Sequence, residues 1–299
     1  MHTGKVKIVA AAKEKHPSHL LGKEQIYEWA QQRGWEPQLE PYLKPIAQRP
    51  DILVHIHGQP MALEFQCSPL SAQRLQERND GYHSMGIGVY WLLGPTYRRH
   101  LREGIISQFT QMSEGQPHLA FWRLDLKRVE ICHDYSMPAY TNRIFTPNDL
   151  RLSQTQKLQR HMHYLDRLWR PLVQRAYIAG HQLSACPLVA HPTVPHWPLL
   201  EHGELYWRLS IILRLAICHP GIIWNKEEWC RWLLQRGHWL PTPCLSANSR
   251  QQLINQFVDQ FTVELAKTGV IKCEKDTIQL LHLPQWFDND VEKIRHLLN

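Results

Sequence analysis

The sequence has few cysteines and no long uninterrupted apolar run. None of its seven cysteines stands in a CxxC arrangement, so neither a disulfide framework nor a structural zinc site is predicted. The apolar stretch Leu209 to Cys218 contains Arg214 and is too short to span a bilayer. The brief apolar run near the N-terminus makes a poor signal peptide. We therefore expect a cytoplasmic protein with reduced thiols and no membrane span.

The excess of basic residues is modest but concentrated in one place. The formal net charge is +7. Between residues 151 and 180, six lysines and arginines stand against the single acidic residue Asp166. This concentration favours contact with a polyanion, and Arg160, Arg167 and Arg170 are the candidate phosphate contacts. The alternative is an amphipathic helix packed across the preceding domain.

Two short β-strands joined by a tight turn are predicted over residues 49–66. Apolar and other residues alternate on both sides of the turn, which is the period of a half-buried strand. We expect a two-residue turn, either His57-Gly58 or Gly58-Gln59. One face of the hairpin is then a core formed by Ile52, Val54, Ile56, Met61, Leu63 and Phe65.

The same hairpin brings acidic side chains together. Asp51 falls opposite Glu64 or Gln66, depending on the turn, and opposed residues of an antiparallel pair share a face. Two carboxylates on one face suit a hard divalent cation with oxygen ligands. The alternative is an ordinary exposed acidic pair at the edge of a sheet.

The surrounding pattern predicts an α-β-β-β-α-β order followed by a largely helical half. The first part contains a helix (18–33), a strand (36–43), the hairpin, a helix (69–84) and a strand (87–93). A helix (95–111) and a peripheral hairpin (119–133) follow. The second part contains a helix kinked at Pro171 (153–178), helices at 203–218, 226–236 and 249–268, and a hairpin (269–283). We therefore predict two domains, 1–150 and 151–299. The later helices and hairpin are also the parts of a winged helix-turn-helix.

Several stretches of the first domain resemble a known family. Pro50-Asp51 and Glu64-Phe65-Gln66 resemble the PD-(D/E)xK nuclease motif, with glutamine in the place of the lysine. The stretches HLLGKEQIYEW (19–29), EPYL (40–43), ALEFQCSPLSAQRLQERNDGY (62–82) and VYWLLG (89–94) resemble the competence protein CoiA family. Family members commonly begin with a cysteine-rich, zinc-finger-like module, and nothing before His16 resembles one.

The resemblance implies an α/β fold with a restriction-endonuclease-like core and a mixed sheet, and an Mg²⁺- or Mn²⁺-dependent DNA nuclease. Its substrate would be single-stranded or branched DNA during natural transformation or recombination, with recombination proteins as further partners. The alternative is a DNA-binding recombination accessory protein with little catalysis, because Gln66 replaces the motif lysine.

The motif, together with the positions of nearby side chains on the predicted elements, suggests roles for individual residues. Asp51, Glu64 and the main-chain carbonyl of Phe65 would bind the metal ion. Gln66 would position water, and Lys23 or Lys44 would supply the missing positive charge. The remaining candidates are a general base, His19, and two phosphate contacts on the following helix, Arg74 and Arg78. For Arg74 the alternative is a surface pair with a neighbouring acid.

Overall fold

The computed structural model describes residues 17–133, 146–194 and 196–299. These residues form two compact units. The first contains 17–102 and 109–133, and the second contains 103–108 and the described residues from 146 onward. The predicted α/β fold with a mixed sheet and a largely helical C-terminal part is confirmed. The predicted boundary at residue 150, between a nuclease-like domain and a second domain, stays a prediction.

The first unit is built on a seven-stranded mixed sheet in the order β1-β2-β3-β4-β6-β5, with β7 also paired to β6. Strand β3 runs antiparallel to β2 and parallel to β4, and β4 runs parallel to β6. The first six elements have the predicted α-β-β-β-α-β order. The elements of this unit are α1 (Pro17–Gln31), β1 (Gln38–Leu39), β2 (Ile52–Ile56), β3 (Gln59–Gln66), α2 (Ala72–Ser84), β4 (Gly88–Leu93), α3 (Pro95–Arg99), β5 (Gln111–Ser113), β6 (Gln116–Arg123) and β7 (Arg128–Cys132). Between α3 and β5 the chain forms α4 (Glu103–Phe109), which belongs to the second unit except for its last residue.

Two predictions after β4 were wrong in detail. The single helix predicted at 95–111 is two short helices, α3 and α4. The hairpin predicted to be peripheral is part of the main sheet, because Phe121 of β6 pairs with Leu93 of β4. The side-chain amide of Gln111 binds both backbone polar groups of Trp91, with distances of 2.9 and 3.0 Å. At Trp91 the amide therefore takes the place of the backbone of a neighbouring strand. The pattern of apolar residues in the sequence does not predict this role for Gln111.

Both faces of the central hairpin are buried. The predicted apolar face packs on α1, where Ile26 and Ala30 belong to the same core cluster as Val54 and Phe65. The opposite face is not left to solvent, because Leu53 and Ala62 pack there against Tyr82 of α2 in a second cluster. Leu53 and Ala62, which are next to Asp51 and Glu64 on this face, are therefore covered, whereas His55 near the turn is exposed.

The second unit is mainly helical, with a small antiparallel sheet in the order β8-β10-β9. The prediction missed β8 and the last helix. Pro171 lies in the first turn of α6, where its fixed φ suits helix initiation, and does not kink a longer helix. The elements are α5 (Pro147–His163), α6 (Arg170–Ile178), α7 (Gly203–Leu215), β8 (Ile223–Asn225), α8 (Lys226–Leu234), α9 (Ala247–Lys267), β9 (Ile271–Cys273), β10 (Thr277–Leu280) and α10 (Asp290–Leu298).

The segment from α7 to β10 has the arrangement of a winged helix-turn-helix: helix, strand, two helices and a hairpin, with the first strand paired to the last. Strand β8 completes the small sheet, and the winged helix-turn-helix interpretation stays a prediction. Among the described residues, no helix is both long and apolar enough to cross a bilayer.

Candidate active site

A two-residue turn fixes the register of the acidic hairpin. His57 and Gly58 both have positive φ angles, 49° and 76°, as a type I′ turn requires. The paired residues run from Ile56 with Gln59 to Ile52 with Leu63. One further step along this register sets Asp51 opposite Glu64. The first of the two predicted turns is therefore the one that forms.

Asp51 lies immediately before β2 and is held by contacts from two sides. Its Oδ2 accepts a hydrogen bond of 2.9 Å from the backbone N–H of Phe65. On the other side, His19 Nε2 is 3.6 Å from Oδ2 and Lys23 Nζ is 3.5 Å from Oδ1. Burial alone would raise the pKa of Asp51, but the His19 imidazole and the Lys23 charge hold it below its usual value. Asp51 is therefore ionised at neutral pH.

Glu64 lies in the middle of the sheet and is only 3 % exposed. Its Oε1 accepts hydrogen bonds from the Arg78 guanidinium and the Tyr82 hydroxyl, both on α2. Burial and the charge of Asp51 raise the pKa of Glu64 from 4.5 to about 7, although Arg78 and Tyr82 act in the opposite direction. The two carboxylates therefore differ in protonation although they stand opposite each other.

Lys23 and Glu40 complete the side of the site that faces α1. Lys23 is only 4 % exposed, and its ammonium forms an ion pair with Glu40 as well as with Asp51. The backbone N–H of Glu40 donates to the Asp51 carbonyl at 3.1 Å, so the two acids are also linked through the main chain. Glu40 was missed as a site residue, although it begins the EPYL stretch. Lys44 has no ion pair among the described residues.

The predicted phosphate contacts on α2 lie in different surroundings. Arg78 points into the site, where it also donates to the Arg49 carbonyl at 3.2 Å. Arg74 pairs instead with Glu77 at 3.1 Å, and these side chains are 66 % and 47 % exposed. This is the surface pair that was the alternative for Arg74. Arg78 therefore belongs to the acidic site, and Arg74 lies outside it.

Gln66 does not contact either carboxylate in this arrangement. Its side-chain nitrogen donates to the carbonyl of Ser68 at 2.6 Å and lies 3.4 Å from the Ser68 hydroxyl. The amide is thus engaged with the loop that leads into α2. Its role in positioning water stays a prediction.

The oxygen donors suit a hard divalent cation. In a strand, the N–H and C=O of one residue point to the same edge, so the Phe65 carbonyl faces Asp51 just as its N–H does. Asp51, Glu64 and this carbonyl are oxygen ligands of the kind that Mg²⁺ takes. The opposed carboxylates also repel each other, which a bound dication would relieve. The residues present therefore fit such an ion.

Three predicted phosphate contacts lie in the second unit. Arg160 is in α5, Arg167 follows it, and Arg170 begins α6. All three side chains are exposed and form no ion pair with a described residue. The one acidic residue of this segment, Asp166, is engaged with His161 at 2.9 Å.

The first unit is a mixed α/β domain that holds an acidic pair flanked by a lysine and an arginine, and its sequence places it in the nuclease-like class. The sequence model described as "Competence protein CoiA, nuclease-like domain" matches residues 16–164. The Competence protein CoiA of Bacillus subtilis (strain 168) is 33 % identical over 138 residues, which is 43 % of this chain and 35 % of that protein. By this domain the chain belongs to the competence protein CoiA family.

The similarity is confined to part of each protein. The aligned region spans about a third of the length of the curated relative. The family match ends within the turn after α5, so most of the second unit lies outside it. No solved structure matches the chain significantly.

Proposed function

We propose that this protein is an Mg²⁺- or Mn²⁺-dependent deoxyribonuclease that acts on single-stranded or branched DNA during natural transformation or recombination. The observation that carries the proposal is the placement of Asp51 opposite Glu64, with Lys23 and Arg78 supplying positive charge on either side. In a phosphodiester cleavage, such cations stabilise the charge that develops on the phosphate oxygens.

Each residue has a distinct part in this proposal. Asp51, Glu64 and the Phe65 carbonyl would hold the cation, which when bound supplies Lewis acidity and lowers the pKa of a water ligand. Glu64 would release its proton as it becomes a ligand. Lys23, buried beside Asp51, would supply the charge that the missing motif lysine provides elsewhere.

His19 is the candidate general base. Its Nε2 faces Asp51, and its ring stacks on Phe65 with a centroid separation of 5.8 Å. The other ring nitrogen, Nδ1, is buried and has no hydrogen-bond partner among the described residues. That nitrogen would take a proton from a water only where substrate binding opens a path to it.

A DNA-binding accessory protein with weak catalysis is the second candidate. The engagement of the Gln66 amide with Ser68 favours it, because an amide held by the loop activates no water. In both proposals the exposed arginines of the second unit bind DNA phosphates. The two proposals differ only in whether the acidic site cuts.

Cleavage assays on single-stranded, duplex and branched DNA with Mg²⁺ or Mn²⁺ distinguish the two candidates. We expect Asp51→Ala and Glu64→Ala to abolish cleavage, whereas Glu77→Ala, an exposed acid of α2, should leave it unchanged. Gln66→Lys should preserve or increase cleavage. If the wild type cuts none of these substrates but binds them as tightly as Glu64→Ala does, the accessory role is correct and the enzyme proposal is wrong.

A further inference from the structure

A second cluster of metal-ligating side chains lies in the second unit. Glu201, His202 and His238 each direct one ligand atom into a common region, and these atoms lie within 4.8 Å of one another. Among the residues that the structure describes, it is the one group of three histidine, cysteine or acidic side chains this close together. The two imidazole rings are 5.1 Å apart between centroids and inclined at 46°.

The backbone beneath the cluster is fixed by hydrogen bonds. Glu201 N–H donates to the His238 carbonyl at 2.8 Å, and Leu240 N–H donates to the Leu199 carbonyl at the same distance. Leu200 and Trp239 form an antiparallel bridge between these two bonds. The segment that leads into α7 is thus paired with the segment that follows α8. The three ligating residues therefore project from a short, two-stranded platform.

Buried side chains hold this platform in place. Leu199 and Leu200 are buried, and the Trp239 indole N–H donates to the Leu234 carbonyl at 3.0 Å. A Cβ at Gly237 would lie 2.4 Å from the Trp239 ring, so this close approach requires glycine. The platform is therefore rigid, while the ligand side chains can still rotate about their own bonds.

Within the part of the chain that the structure describes, the polar atoms of the three side chains have no ion-pair or side-chain hydrogen-bond partner. His202 contacts the ring of Tyr206 edge-on at 5.3 Å, which leaves the ring nitrogens available. The N-terminus of α7 carries partial positive charge close by, and the Glu201 carboxylate offsets it.

We propose that Glu201, His202 and His238 form a binding site for a divalent transition metal ion, with Zn²⁺ the preferred ion. Two imidazoles and one carboxylate are the ligand set of open, four-coordinate zinc sites, in which a solvent molecule fills the fourth position. Tetrahedral bonding would bring the ligand atoms to about 3.4 Å from one another, a contraction that side-chain rotation supplies. The bound ion would link the N-terminus of α7 to the segment between α8 and α9.

This site differs in chemistry from the acidic site of the first unit. Imidazole nitrogens select Zn²⁺, Co²⁺ or Ni²⁺, whereas three oxygen donors suit Mg²⁺. The proposal therefore does not depend on nuclease activity and holds even if the protein cuts no DNA. If the acidic site also holds its cation, one protein molecule binds two ions of different kinds.

Titration of the full chain, without a polyhistidine tag, with Co²⁺ tests the proposal. We expect the intense visible absorption of four-coordinate Co²⁺ to saturate at one equivalent, and Zn²⁺ to displace it. The spectrum should be retained in the double variant Asp51→Ala/Glu64→Ala and in His219→Ala, a control at another exposed histidine. It should be lost in His202→Ala/His238→Ala, and Glu201→Gln should weaken binding at least tenfold.

Thermal unfolding of the same proteins provides a second measurement. Zn²⁺ should raise the melting temperature of the wild type and not that of His202→Ala/His238→Ala. Without metal the variant loses only the ring contacts of the half-buried His202, so the rise that Zn²⁺ produces in each protein is the quantity compared. His238→Gln tests the same site if the double variant does not fold. An unchanged Co²⁺ spectrum in the histidine variants, or no binding by the wild type, would overturn the proposal.

Discussion

Replacing Glu64 by glutamine should stabilise the metal-free protein at alkaline pH and have little effect at pH 5. Glu64 is buried opposite the ionised Asp51, and its pKa rises from 4.5 to about 7. Between these two values the folded protein holds a proton at Glu64 that the unfolded chain has released. Stability therefore falls as the pH rises through this window. Glutamine has the same shape and stays neutral, so the variant lacks this fall.

The size of the effect follows from the pKa difference. One pKa unit corresponds to about 1.36 kcal/mol, so the ionised Glu64 costs the metal-free fold about 3 kcal/mol above pH 7. A small part of this is already present at pH 5, which leaves a change of about 2 to 3 kcal/mol between pH 5 and pH 8. Asp51 has its pKa lowered and is ionised throughout this range, so it does not contribute to the difference.

Urea unfolding in EDTA at several values between pH 5 and pH 8, followed by tryptophan fluorescence, measures this difference. The free energy of unfolding of Glu64→Gln should exceed that of the wild type by an amount that grows with pH. Glu77→Gln, on the exposed surface of α2, should follow the wild type. Adding Mg²⁺ at pH 8 should raise the stability of the wild type and leave Glu64→Gln unchanged. Parallel pH curves for the wild type and Glu64→Gln would show that the buried carboxylate is not under electrostatic strain.

Two further predictions concern packing and DNA binding. In Gly22→Ala, the new Cβ would lie 2.0 Å from the Phe65 ring. We expect the free energy of unfolding, measured in urea, to fall by about 1 to 3 kcal/mol. A variant as stable as the wild type would contradict the packing of α1 on β3. Replacing Arg160, Arg167 and Arg170 together by alanine should weaken DNA binding and reduce the slope of log affinity against log salt by up to about 0.7 to 0.9 per lost contact. An unchanged slope in a folded variant would exclude these residues from the DNA interface.

The hairpin could be predicted closely because its information is local. Strict alternation sets the buried face, and the possible two-residue turns narrowed the partner of Asp51 to Glu64 or Gln66. The positive φ angles of His57 and Gly58 in the structure select Glu64. The two strands need no other part of the chain to define this pairing. The family resemblance drew on the same stretch, and the comparison bears it out.

The rest of the site depends on contacts that are distant in sequence. Arg74 and Arg78 lie one helical turn apart on α2, and the helical period alone does not tell which of them turns inward. The crossover from β3 through α2 to β4 decides it, and only Arg78 reaches Glu64. Glu40 was missed for a similar reason. Its partner Lys23 is 17 residues away in another element, and no periodicity connects the two.

The parallel pairing of β3 with β4 also determines when the site can assemble during folding. The hairpin carries both carboxylates and closes by local contacts, which takes about 1 to 10 μs. Arg78 arrives only after the chain has passed through α2 and returned to the sheet, a non-local closure that is slower. The early hairpin therefore holds two opposed negative charges before their cations are in place. We expect the residues that form the acidic site to slow the first step of folding, and a divalent cation or mild acid to speed it.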